Sequence, residues 1–133
     1  MATFHTLQEI RAWDKARSLI KDIYSISGNG PFARDFGLRD QIRRASVSIA
    51  SNIAEGFERD GNPEFIQFLS LAKGSAGEVQ TQLQIAFDLG YLDESVFSRC
   101  YETTVMLGRM LGNLMNYLRN AQVRGKKFKL PLG

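Results

Sequence analysis

Cys100 and His5 are the only cysteine and histidine in the chain, and they narrow the chemistry open to it. A metal site draws several His, Cys, Asp or Glu ligands at workable spacing, which this pair does not supply. A Cys–His nucleophile would need the two to meet in space. Cys100, beside the apolar seam of a helix, reads instead as a small buried hydrophobe. The Glu-x-x-His pairs of di-iron bundles are missing as well, since Glu55, Glu78 and Glu102 have no histidine three residues on. Gly28-Asn29-Gly30 is followed by Pro31 and lacks the lysine and the strand-to-helix setting of a phosphate-cradling loop. The expectation is a protein with no catalytic site, no metal and no cofactor.

Cationic chemistry is what remains. Arg119, Arg124, Lys126, Lys127 and Lys129 crowd the C-terminus, with Phe128 among the lysines and Arg109 upstream. Flexible cations engage phosphates without reading sequence, and an aromatic among them can stack on an unpaired base. The competing reading is a solvated tail, or one whose Phe128, Leu130 and Leu132 dock on a neighbour. Arg39 and Arg43 form a second candidate patch, weakened by Asp40.

The charge is divided unevenly along the chain. Residues 1–102 hold 11 Lys/Arg and all 14 Asp/Glu, whereas residues 103–133 hold 6 Lys/Arg and no acid, so the net charge of +3 conceals a basic C-terminal end. Such asymmetry suits an anionic partner, though solubility explains many charged tails. The 133 residues fit one domain, able to bury about two-thirds of its unfolded surface. No apolar run approaches the roughly 20 residues that span a bilayer. Met1–His5 lacks the basic start and long apolar stretch of a secretory signal, and a lone cysteine forms no internal disulfide, so the expected setting is the cytoplasm, away from membranes.

Stop signals divide the chain into four helical segments. Gly28-Asn29-Gly30-Pro31, Asp60-Gly61-Asn62-Pro63 and Leu89-Gly90-Tyr91-Leu92-Asp93 separate them, with Asn62 and Asp93 as expected N-caps and Pro63 at the first helical position. In the third segment Phe65, Leu69, Ala72, Ala76, Val79, Leu83 and Ala86 recur at alternating spacings of four and three, a heptad seam that must face a partner. The fourth repeats the pattern in Phe97, Tyr101, Thr104, Gly108, Leu111, Met115 and Leu118. The first carries Ile10, Trp13, Ala16, Leu19, Ile20, Ile23 and Tyr24. Short connections make consecutive helices antiparallel, so the expected fold is an all-α, up-down-up-down four-helix bundle over residues 1–121, with a basic tail at 122–133. Equal distance from Tyr91 puts Gly74 level with Gly108, which suggests a close backbone approach there.

The second segment, Phe36 to Glu58, has a core face of Leu38, Ile42, Ala45, Ile49 and Ile53. Beside it Gln41, Arg44, Ser48, Asn52 and Glu55 fall within an arc of about 80°, and Arg59 continues the line. Counted from Gly61, Arg44 lies level with Glu78 and could pair with it. Glu78 belongs to a second seam of the third helix, Phe68, Leu71, Ser75, Glu78, Gln82, Ile85 and Leu89, apolar at its ends and polar in the middle. One reading is a solvated surface with an incidental ion pair. The other is a polar network at a helix or subunit boundary that fixes register and assembly number.

The strings Gln41-Ile42-Arg43-Arg44-Ala45, Ser48-Ile49, Asn52-Ile53-Ala54-Glu55-Gly56 and Arg59 resemble the four-helix-bundle family encoded by intervening sequences in bacterial large-subunit ribosomal RNA genes. Phe65, Phe68-Leu69, Ala72, Gly74-Ser75, Glu78, Thr81-Gln82-Leu83 and Leu89-Gly90-Tyr91-Leu92 stand in that family's order, after Trp13, Ala16, Leu19 and Tyr24. The likeness spans about residues 4–120; Ala33 and Gln80 depart from the family's usual proline and acid. The resemblance implies a homopentameric ring and a likeness to the accessory protein of diversity-generating retroelements, a basic barrel that binds nucleic acid and its reverse transcriptase. Joined to the charge pattern of the tail, which lies outside the likeness, the resemblance gives the expected function: an oligomeric module that engages RNA or DNA through Arg119, Arg124, Lys126, Lys127 and Lys129, held together by Arg44, Asn52, Glu55 and Glu78. A ring would repeat a weak site and raise avidity. The rival is a scaffold that recognises a protein partner while its tail serves solubility.

Overall fold

The computed structural model describes residues 4 and 6–124. Four long helices, α1 (Arg11–Ile26), α3 (Phe36–Phe57), α4 (Asn62–Asp88) and α5 (Glu94–Arg124), occupy the expected segments. A short 3-10 turn, Leu7–Glu9, precedes α1, and the Gly28–Pro31 stop contains a single helical turn, α2 (Gly30–Arg34). That turn places Phe32 in the core and stacks it on Tyr91, with ring centroids 5.5 Å apart. The pattern of neighbours, α1 on α3, α3 on α4, α4 on α5 and α5 on α1, closes a four-helix bundle. Consecutive long helices run antiparallel: Arg43 of α3 meets Tyr24 and Ser27 at the end of α1, and Ser48 meets Ser75 across the α3–α4 hairpin.

Side-chain caps set where α3 and α5 begin. Asp35 accepts a hydrogen bond from Leu38 N at 3.1 Å to cap α3, and its other oxygen accepts from the Tyr91 hydroxyl at 2.9 Å. This ties the α4–α5 turn to the start of α3 and pushes the Tyr91 pKa up, because the hydrogen bond to Asp35 favours the protonated phenol. α4 closes in a Schellman turn: Tyr91 N donates to Ala86 O, Gly90 N donates to Phe87 O, and Gly90 takes φ 79°, a value costly for any residue with a Cβ. Asp93 caps α5 as expected, accepting from Val96 N at 2.8 Å, and that bond holds its carboxyl below the usual range. The stability gained there is complete above ordinary carboxylate pKa values and is lost as pH falls through the lowered one. Asn62 departs from expectation. Gly61 is the N-cap of α4, and Asn62, buried in the first turn, donates across the bundle to Leu118 O at 3.4 Å.

All seven residues of the α4 seam are buried. In α5 the core face is turned slightly from the expected one: Cys100 and Leu107 join Thr104, Leu111, Met115 and Leu118 inside, while Phe97, Tyr101 and Gly108 are only half-buried. Burial pushes the Cys100 thiol pKa up, as fits a packing residue. Trp13 and Ile20 sit half-buried at the rim and Tyr24 is exposed, because Ala12 takes an inner position on α1. The anticipated approach at Gly74 and Gly108 is absent: a Cβ on either would have nothing within 4 Å. The close approach lies at Gly56, where a Cβ would come within 2.8 Å of Phe68 Cβ and 2.9 Å of Phe65 Cδ1.

Gly56→Ala should therefore destabilise the bundle, since overpacking costs about 1–3 kcal/mol and exceeds the roughly 1 kcal/mol that alanine returns in helix propensity. Gly112→Ala, with open space around the new methyl, should do the reverse. Urea unfolding of both variants checks the pair, and a stable Gly56→Ala would refute the close packing.

Candidate functional site

The polar arc on α3 and the second seam of α4 form a common cleft because one antiparallel register aligns them. Ser48 and Ser75 hydroxyls meet at 3.0 Å, and Asn52 Nδ2 donates to Ser48 O at 2.9 Å and to Ser48 Oγ at 3.0 Å. Above this cluster a cleft of about 380 Å³ is lined by Gln41, Arg44, Ala45, Ser48, Glu78 and Gln82. Below it a second hollow of about 450 Å³ shares Ser48 and Glu78 and reaches Asn52, Leu71 and Gly74.

Arg44 and Glu78 thus lie where the sequence places them, but the expected ion pair is absent. Both are exposed and line the same cleft without bridging it. Among the described residues neither has an ion-pair partner. Glu55 stands apart, paired with Arg59 at 2.7 Å, and Arg59 in turn lies over the Phe68 ring. Each partner of that pair is about half exposed, which limits it to roughly 0–1 kcal/mol. Within the cleft, Gln82 Oε1 is buried without a hydrogen-bond partner, as is Asn62 Oδ1 at the start of α4. Leu71 (53% exposed), Ile85 (41%) and Leu89 (55%) continue the seam as large apolar residues facing water. One face therefore combines an unpaired guanidinium, an unpaired carboxylate, an orphan amide oxygen and uncovered leucine and isoleucine.

The basic end is described only in part. Arg109 and Arg119 are exposed on α5, Arg119 donating to Asn116 Oδ1 at 3.1 Å. Arg124 ends the helix with its side chain outside the described region, and Lys126, Lys127, Phe128 and Lys129 lie outside the described residues altogether. Since Leu118 is level with Asn62, the last six residues of α5 run past the start of α4 by about 9 Å. Glu58, Asp60 and Glu64 are exposed near the same end, so the bundle surface there carries both signs. Among the described residues no group of three or more His, Cys, Asp or Glu could hold a metal, and no helix is long and apolar enough to cross a membrane.

Residues 8–113, the body of the bundle, match the sequence profile described as 23S rRNA-intervening sequence protein. The chain belongs to that family. The match ends before Arg119, leaving the basic end outside the region that defines the family. This intervening-sequence protein also resembles, in fold, a protein of unknown function from the S23 ribosomal protein family of Bacteroides thetaiotaomicron. The TM-score to that crystal structure is 0.72 at 21% identity, covering 78% of this chain and 97% of the other. No curated protein matches the sequence.

Gln82→Met keeps the side-chain length and removes the orphan acceptor, so it should raise the unfolding free energy of the isolated chain by about 1 kcal/mol. A decrease in denaturant titration would mean that Oε1 takes a hydrogen bond the chain alone does not provide.

Proposed function

We propose that this intervening-sequence protein is a non-enzymatic, self-assembling module that holds RNA or another nucleic acid electrostatically at the C-terminal end of its bundle. The observation that carries the reading is the segregation of charge: six cations and no acid follow residue 102. α5 presents Arg109 and Arg119 of that stretch on its exposed face. Arg119, Arg124, Lys126, Lys127 and Lys129 attract phosphates, and Phe128 offers a stacking surface. A single tail binds weakly. A homopentameric ring, the assembly implied by the family resemblance, would present five tails and multiply the effective concentration.

The α3–α4 cleft supports the assembly half of the proposal. Arg44 and Glu78, unpaired within the chain, are self-complementary between copies, Asn52 holds Ser48 in place, and Glu55 with Arg59 flanks the cleft. Leu71, Ile85 and Leu89 would be covered in the same interface, where a polar centre sets register at some cost in stability. A protein-scaffold reading is favoured by one observation, the exposed Glu58, Asp60 and Glu64 beside the basic end, which suit a partner of mixed charge.

Fluorescence anisotropy of labelled single-stranded RNA across a salt series separates the two. Replacing Arg124, Lys126, Lys127 and Lys129 with glutamine should weaken binding and flatten the salt slope by about 0.7 for each phosphate that is no longer neutralised. Absence of binding by the parent chain at low salt would leave the scaffold reading. For assembly, Glu78→Ala should lower the sedimenting mass or the melting temperature more than exposed Glu94→Ala does. Equal effects would remove the cleft from the interface.

A further inference from the structure

A different surface, the outer seam between α1 and α3, alternates aromatic rings with cations. Trp13, Arg17, Lys21 and Tyr24 follow one another at spacings of four, four and three. That spacing keeps them within about 80° of arc on α1. The Arg17 guanidinium lies over the Trp13 ring, 4.9 Å from its centroid, and Arg43 reaches across from α3 to lie over Tyr24 at 4.4 Å. Arg43 is fixed in advance: its Nε donates to Ser27 Oγ at 2.8 Å and its Nη2 to Tyr24 O at 3.2 Å. Tyr24 is 44% exposed, so part of its ring is open to a ligand. Lys21 is exposed and has no ion-pair or hydrogen-bond partner among the described residues.

The nearby acids leave this surface net positive. Asp14 is bonded to Arg17 at 3.3 Å, and Asp40, beside Arg43, is bonded to Arg39 at 2.9 Å. Between Tyr24 and Arg43 a hollow of about 400 Å³ opens to the outside. Trp13 and Tyr24 are eleven residues apart, about 16 Å along the helix, the reach of a few nucleotides. A phosphate-only site would need the cations without the rings, and an apolar docking face would not carry an unpaired Lys21 beside Arg17 and Arg43.

We propose that this aromatic and cationic stripe is a contact surface for an unpaired stretch of nucleic acid, with bases stacking on Tyr24 and the rim of Trp13 and phosphates meeting Lys21 and Arg17. Base stacking on aromatics tolerates any sequence, so the stripe contributes grip rather than sequence selection. It lies on α1 and α3, its hollow bordering the α3–α4 cleft at Arg44, and uses no residue of the C-terminal tail. The stripe and the tail therefore succeed or fail separately.

Trp13 is the only tryptophan in the chain, so its fluorescence reports directly on the stripe. The whole chain would be titrated with short single-stranded RNA, with oligothymidylate, and with an abasic oligonucleotide of the same length. The base-bearing strands should quench Trp13 and the abasic strand should not. By anisotropy, Tyr24→Leu should weaken binding of the base-bearing strands about fivefold or more and leave the abasic strand unchanged, while Lys21→Gln should weaken both. Circular dichroism melting confirms that the variants fold, and the quenching experiment on the parent chain needs no variant.

The same strands are then tested against the chain with its tail cations replaced. Loss of binding only in that chain, with Trp13 unquenched and Tyr24→Leu equal to the parent, overturns the stripe and leaves the tail reading in place. Binding that survives the tail replacement but falls in Tyr24→Leu supports the stripe and overturns the tail. Abasic and base-bearing strands bound equally well also overturn the stripe.

Discussion

Where α3 crosses the start of α4, Gly56 lies against Phe65 and Phe68 at a distance that leaves no room for a methyl group. The rest of the α3–α4 pair follows from that register. Going up the hairpin, it sets Ser48 against Ser75, then brings Arg44, Glu78, Gln41 and Gln82 around one cleft. A different residue at 56 would lift α3 from α4 and open the whole polar row. The glycine is thus a packing requirement, and the cleft is its consequence.

α4 has two faces to satisfy, and only one is satisfied by the chain. Its core seam runs from Phe65 to Ala86 and is sealed by α3 and α5. The second seam, about a third of a turn away, keeps the same heptad spacing but exposes Leu71, Ile85 and Leu89 around Glu78 and the orphan Gln82 oxygen. A helix with two heptad seams suits more neighbours than one bundle supplies. Water can solvate the exposed polar groups but gains nothing from the leucines, and this uncovered apolar area is the observation behind the proposed self-assembly.

Much of the fold was legible in the residues. The four helices, their stops, the α4 seam and the Asp93 cap follow from helical periodicity and from Gly, Pro and Asp placed where a helix must end. Intermediate cases were not legible. Trp13 and Tyr24 fit an apolar stripe by spacing, yet Ala12 proved the inner residue: Trp13 packs half-buried against the rim of the core and Tyr24 faces outward. Gly74 and Gly108 are equidistant from Tyr91 in sequence, yet a Cβ on either meets nothing, while Gly56 lay inside a recognisable string without any sign that its missing Cβ mattered. Asn62 looked like a cap, and three-dimensional packing made it a strut to Leu118.

By itself the sequence determined the class of protein: an all-helical bundle of the 23S rRNA-intervening sequence family, whose residues 103–133 carry six cations and no acid. These features depend on residue type and order along the chain, which periodicity and composition record. The tertiary structure decided which polar groups meet. It brought Ser48 to Ser75, kept Arg44 from Glu78, left Gln82 Oε1 without a donor and laid Arg43 over Tyr24. Such pairings depend on helix rotation and register to within a fraction of a turn, and those are fixed by side chains on neighbouring helices rather than by any segment alone.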